Sequence, residues 1–121
     1  MNRQLRNSET GWIWATKQIS GVFVFLLIFV HLIVNHLVVE NGLMSYQDVV
    51  AYLSNPWIAL MESIFLVVVV GHSLLGVRSV ILDFNPADRV WKYLDPVFVL
   101  IGIMASIYGI WLTITVGSVV L

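Results

Sequence analysis

The sequence predicts an all-α integral membrane protein of three transmembrane helices, and three observations carry that expectation. Of the 121 residues, 60% are hydrophobic and 11% charged, with a mean hydropathy of +0.93, far outside the range of soluble globular domains. Three apolar stretches, Ile19 to Val39, Trp57 to Leu82 and Val97 to Leu121, run for 21 to 26 residues each. At about 1.5 Å per residue, each crosses a hydrocarbon core of about 30 Å. The basic residues Arg3, Arg6, Lys17, Arg78, Arg89 and Lys92 all precede the first span or surround the second loop, and none falls between Glu40 and Pro56.

Taken in order, the elements form one membrane domain over residues 1–121, with helices expected at about 13–39, 57–83 and 95–120. Residues 1–18 are polar and lead into a full-length span, so the N-terminus is expected to be retained rather than cleaved as a signal peptide. The positive-inside rule places the N-terminus and the Asn85–Leu94 loop in the cytoplasm and the first loop and C-terminus outside. Trp12, Trp14, Trp57, Trp91 and Tyr93 fall near the expected interfaces, where amphipathic rings are enriched. In the first loop, Ser45 to Tyr52 reads as a short surface helix before a turn at Asn55-Pro56, and Asn85-Pro86 ends the second span. Ser20, Gly21, Gly71, Ser73, Gly76, Gly102, Ser106 and Gly109 suit close helix contacts. Gly76, one turn from His72, leaves room there for a flat ligand.

The composition also excludes function classes. A formal net charge of −1 and scattered basic residues give no phosphate-tracking stripe, so nucleic acid is not an expected partner. Without cysteine there is no disulfide, thiolate metal site or covalently attached c-type heme. A redox cofactor would be held by histidine or methionine.

Polar groups within the spans are therefore informative. Glu62 and Arg78 lie toward opposite ends of the second span, where long side chains snorkel to the headgroups. His72 has no such escape. His31 lies 14 residues beyond Lys17 and His72 lies 6 residues from Arg78. If those cations mark one level, the histidines differ in depth by about 12 Å, too far to share one iron. His31 and His36 are separated by about 140° around one helix and cannot clamp one metal together. His36, close to Asn35 and Glu40, reads as interfacial. Two readings of His31 and His72 fit: interhelical hydrogen-bonding residues, or axial ligands of heme b, which is apolar and needs no cysteine. With one histidine at each depth, the opposite ligands would come from another chain.

The stretch QISGVFVFLLIFVHLIVNHLV in the first span and GHSLLGVRSVILDF closing the second resemble the small hydrophobic anchor subunits, of cytochrome b556 type, of succinate dehydrogenases, the succinate:quinone oxidoreductases. The second stretch carries the more specific motif, His72, Gly76, Asp83 and an aromatic, here Phe84; the resemblance covers roughly residues 12 to 84. It implies an anchor that docks a flavoprotein and an iron–sulfur subunit, packs with a second membrane anchor into a heme-binding bundle, and helps pass electrons from succinate to quinone. The chain itself would perform no chemistry on succinate. The resemblance implies His72 as a heme ligand, and the His-Leu-Ile-Val-Asn segment at His31 resembles diheme members with a further ligand in the first helix. One or two hemes b would be shared with the second anchor in a bacterial or archaeal cytoplasmic membrane.

Other positions follow from the same resemblance. Arg78 suits a heme propionate, or else marks topology by snorkelling. Ser20 resembles a position close to quinone, and Asp83 lies near the same region unless it caps its helix or pairs with a basic neighbour. Gln18 stands where anchors often carry arginine, and Phe84 where some members carry a quinone-binding tyrosine. Quinone contacts are thus expected mainly from the second anchor and the iron–sulfur subunit. Glu40 and Glu62 near the outer face would exchange protons with an outer quinone site or stand as solvated carboxylates. The alternatives are a single-heme anchor, a fumarate reductase anchor and a heme-free structural or assembly subunit.

Overall fold

The computed structural model describes residues 11–38 and 44–119. Among the described residues four helices follow one another: α1 (Gly11–Val38), α2 (Tyr46–Leu53), α3 (Pro56–Asp83) and α4 (Asp88–Gly117). Three of them, α1, α3 and α4, are long and apolar enough to cross a membrane. The protein is an integral membrane protein with an all-helical fold.

Local chemistry sets the helix ends. Ser45 opens α2 through a capping box: its hydroxyl accepts from the Asp48 N–H at 3.2 Å, while the Asp48 carboxylate accepts from the Ser45 N–H at 2.8 Å. The Ser45 hydroxyl also donates to the Asp48 carboxylate at 2.7 Å, and this bond, followed by that from the Ser45 N–H, holds the Asp48 carboxyl below its usual range. The Asn55 side chain caps α3 by accepting from the Trp57 N–H at 3.0 Å, with Pro56 in the first turn, where its missing N–H costs nothing. After Phe84 the chain turns out of α3 at Asn85, whose φ of 49° lies in the left-handed region that asparagine tolerates.

The fourth helix differs from expectation. It begins at Asp88 instead of near residue 95, so the expected Asn85–Leu94 loop shrinks to the few residues around Asn85 and Pro86. Pro96 sits inside the helix. A proline there removes one backbone donor to the preceding turn, a small loss where polar surroundings can satisfy the carbonyl. Hydropathy scores Asp88, Arg89 and Lys92 as polar and so misses a helix start that carries them. Leu94, 8% exposed, anchors that polar extension to the bundle.

Helix α3 is central, packing against α1 on one side and α4 on the other. The contacts fix antiparallel registers. Along α1 and α3, Lys17 meets Ser79, Ser20 meets His72 and His31 meets Glu62. Along α3 and α4, Arg78 meets Asp95, Leu74 meets Gly102 and Leu66 meets Gly109. Helix α2 lies across the end of the bundle against α4. Its Val50 is 1% exposed, so this helix, expected on the surface, is docked by a buried side chain. Close approach also requires glycine at Gly117, where a Cβ would collide with the Leu53 carbonyl.

Among the described residues, only Val50 and Leu94 are buried hydrophobics, while Phe23, Phe25, Phe29, Ile64, Ile103 and Ile107 are among many large apolar side chains left exposed. A soluble domain does not tolerate that much exposed apolar surface. Lipid and protein partners are its natural cover.

Candidate functional site

The described polar side chains within the spans gather at two levels. At the inner level, Ser20 Oγ donates to the Lys17 carbonyl at 3.0 Å and lies 2.9 Å from His72 Nδ1. A hydroxyl carries one hydrogen. With that hydrogen given to Lys17, Ser20 accepts from the Nδ1–H of His72, which leaves the imidazole lone pair on Nε2. Nε2 makes no hydrogen bond with the described residues. Lys17 Nζ donates to Ser79 Oγ at 2.9 Å, tying the same two helices together one step further along.

Beside His72 runs a groove of about 530 Å³ lined by Lys17, Gly21, Val22, Phe25 and Gly76. A Cβ at Gly21 would stand 3.3 Å from the His72 ring, and at Gly76 a Cβ would meet nothing within 4 Å. The wall next to the ring is therefore flat. A lone-pair nitrogen oriented from behind by a hydroxyl, beside a side-chain-free wall, has the donor chemistry of a metal-ligating histidine. These residues fit an axially ligated heme.

At the outer level, the two carboxylate oxygens of Glu62 lie 2.9 and 3.1 Å from His31 Nδ1. Tyr52, reaching in from α2, donates its hydroxyl to Glu62 Oε1 at 2.6 Å. Asn35, one turn along α1, places Nδ2 at 2.9 Å from His31 Nε2. Since the carboxylate accepts from Nδ1–H, Nε2 is again the lone-pair nitrogen, here accepting from the asparagine amide. The Phe65 ring lies 5.1 Å from the imidazole, centroid to centroid. A groove of about 680 Å³ runs past this cluster between Leu32, Phe65, Leu66 and Leu112. Burial, then the Glu62 hydrogen bond and its charge, push the Tyr52 phenol well above its usual range. The raised pKa keeps the phenol protonated past the ordinary tyrosine value; the contribution of this donor to stability is full below that value and is lost as pH rises above it.

The register separates the two levels. From Ser20 to His31 is 31 − 20 = 11 residues and from Glu62 to His72 is 72 − 62 = 10, so the histidines stand about 15 Å apart along the bundle.

Other expected positions fall as follows. Glu62, expected to snorkel toward the headgroups, instead turns inward, its side chain 14% exposed, because His31 and Tyr52 offer it two donors. The Arg78 guanidinium grips Asp95 of α4, Nε to Oδ1 at 2.7 Å and Nη2 to Oδ2 at 3.4 Å. Ser20 is engaged with His72. Asp83 is exposed at the last position of α3 and makes no hydrogen bond or ion pair with the described residues. His36 is exposed at the rim of the outer groove. Glu40 lies outside the described residues.

Sequence reasoning missed three partners: Ser20 for His72, the Glu62–Tyr52 pair for His31, and Asp95 for Arg78. The first was within reach, since antiparallel helices paired at Lys17 and Ser79 bring Ser20 opposite residues near 75. The others depend on how α2 docks and where α4 begins.

The profile of the succinate dehydrogenase/fumarate reductase transmembrane subunit family matches residues 2–116. The chain is similar to a succinate dehydrogenase hydrophobic membrane anchor subunit of Archaeoglobus fulgidus, 26% identical over 103 residues that cover 85% of this chain and 87% of that one. It is also similar to a succinate dehydrogenase 2 membrane subunit of Mycobacterium tuberculosis, 31% identical over 83 residues, 68% of this chain and 60% of that one. No solved structure matches the chain significantly.

Proposed function

The chain belongs to the succinate dehydrogenase/fumarate reductase transmembrane subunit family, and from that premise we propose that it docks a flavoprotein and an iron–sulfur subunit at the membrane and, with a second anchor, binds heme b on the route to quinone. His72 would hold the heme nearer the cytoplasm and His31 the one nearer the outer face, each together with a histidine of the second anchor. The observation that carries this reading is the His72 imidazole, oriented by Ser20 with its Nε2 lone pair beside the wall at Gly21 and Gly76.

When bound, heme b supplies one-electron transfer at a potential set by its axial imidazoles, the local dielectric and nearby charge. The chain's own residues hold and orient. Ser20 fixes the tautomer of His72, Glu62 fixes that of His31, and the apolar helix faces exclude water. Arg78 is neutralised by Asp95 on the α4 side of α3, and its remaining guanidinium donors are what it would offer a heme propionate at the inner end. Asp83, exposed at that end, and Ser20 border the quinone region. The described cations Lys17, Arg78, Arg89 and Lys92 share the end of the bundle at the α1 start and the α3–α4 turn, which supports a cytoplasmic location for it.

One observation favours a second reading, a single-heme anchor: Asn35 already occupies His31 Nε2. Heme content decides between them. The reduced-minus-oxidised spectrum and heme-to-flavin ratio of the complex purified in mild detergent should give two hemes b per flavin, falling to one in His31→Ala and to one in His72→Ala. One heme in the parent complex, unaffected by His31→Ala, would leave His72 as the sole ligand, and none would end the heme reading.

A further inference from the structure

The outer cluster contains two side chains that a histidine ligand does not by itself require. Glu62 is an acid within the apolar span of α3, toward its outer end, and Tyr52 comes from a separate helix that crosses the bundle end to reach it. An acid placed at that depth is costly unless its partners compensate. Here the carboxylate receives two donors, the Nδ1–H of His31 and the Tyr52 hydroxyl, and its side chain is 14% exposed. The arrangement is a chain of three: hydroxyl to carboxylate to imidazole.

We infer that Glu62 is the positioning residue for His31 and that Tyr52, through Glu62, sets how strongly that imidazole donates to a metal. The inference rests on the reading of His31 as a heme ligand and adds the groups that tune it. A carboxylate accepting Nδ1–H fixes the ring and raises the basicity of Nε2. The Tyr52 hydroxyl competes for the same oxygen, Oε1, that lies 2.9 Å from Nδ1, and so moderates the carboxylate. Asn35 on Nε2 marks that nitrogen as the lone-pair position, and a metal held there would displace the Asn35 amide. Helix α2 acquires a purpose: its docking through Val50 and the close contact at Gly117 holds the phenol over Glu62.

The two residues have opposite signatures, which a merely structural role would not produce. Glu62→Gln replaces the carboxylate with a weaker acceptor. The outer heme should become a better oxidant, its midpoint potential rising, and it should dissociate about 10- to 100-fold more readily, as for loss of an outer-shell partner. Tyr52→Phe frees the carboxylate to accept fully from His31, and the same potential should fall. The test is a redox titration of the optical spectrum of the whole purified complex, with heme loss timed against an apoprotein scavenger and the inner heme as the internal control for assembly. If Glu62→Gln prevents assembly, Tyr52→Phe carries the test alone. An outer potential unchanged in an assembled variant, or shifted the same way by both substitutions, would overturn the inference. Two hemes per flavin persisting in His31→Ala would instead overturn the ligand reading beneath it.

Discussion

At the scale of single residues, Ser20 is the position where two roles compete. Its family resemblance points to quinone, whereas its hydroxyl is spent between the Lys17 carbonyl and His72 Nδ1. One hydroxyl hydrogen serves one acceptor, so the tautomer of His72 depends on Ser20 keeping this geometry. Ser20→Ala should therefore loosen the inner heme by about 10- to 100-fold, with Ser20→Thr restoring it because the hydroxyl is retained. Timing heme release from the inner site checks this. If Ser20→Ala instead leaves heme retention intact and raises only the KM for quinone, the hydroxyl acts on quinone and not on the imidazole. The residue scale also shows why sequence alone gives candidate ligands but not their partners. His31 and His72 are conspicuous because imidazole in an apolar run is rare. Glu62 and Arg78 sit near span ends, where snorkelling explains them equally well, until Tyr52 and Asp95 are seen beside them.

At the scale of elements, the three long helices were legible because bilayer thickness fixes their length, and Asn55-Pro56 and Asn85-Pro86 mark ends that the backbone respects. What escaped the sequence was the polar start of α4 and the docking of α2. Both are set by tertiary contact, Leu94 in one case and Val50 in the other. The α2 dock has a weak point at Gly117, where any side chain meets the Leu53 backbone, which cannot rotate away as a leucine tip can. Gly117→Val should cost about 1–3 kcal/mol, the usual penalty for overpacking, and should lift the end of α2 first. Hydrogen exchange in detergent provides the measurement. Amides of Val50 to Leu53 should exchange faster while those in the middle of α3 keep their protection. Uniform loss of protection, or none, would show that α2 is not held through this contact.

At the scale of the whole molecule, the two polar levels give the protein an electrical axis. Their separation of about 15 Å is half of a hydrocarbon core of about 30 Å, so an electron passing between them crosses about half the membrane field. Full crossing is worth about 2.3 kcal/mol per 100 mV, and half is about 1.2 kcal/mol, or about sevenfold in an equilibrium constant. Orientation sets the sign. With the Lys17 and Arg78 end in the cytoplasm, as the positive charge supports, a membrane negative inside drives electrons from the His72 level toward the His31 level. In sealed vesicles that keep this orientation, imposing 100 mV, inside negative, should raise the reduced fraction at the outer level relative to the inner by about sevenfold, and an ionophore should abolish the shift. Reversing the potential should reverse it. The antiparallel register underlies the prediction: pairing Ser20 with His72 and His31 with Glu62 fixes the separation of the two levels along the bundle. A shift of the opposite sign would mean that the basic end faces outward. A redox distribution indifferent to potential would mean that His31 and His72 do not stand at two depths along one electron path.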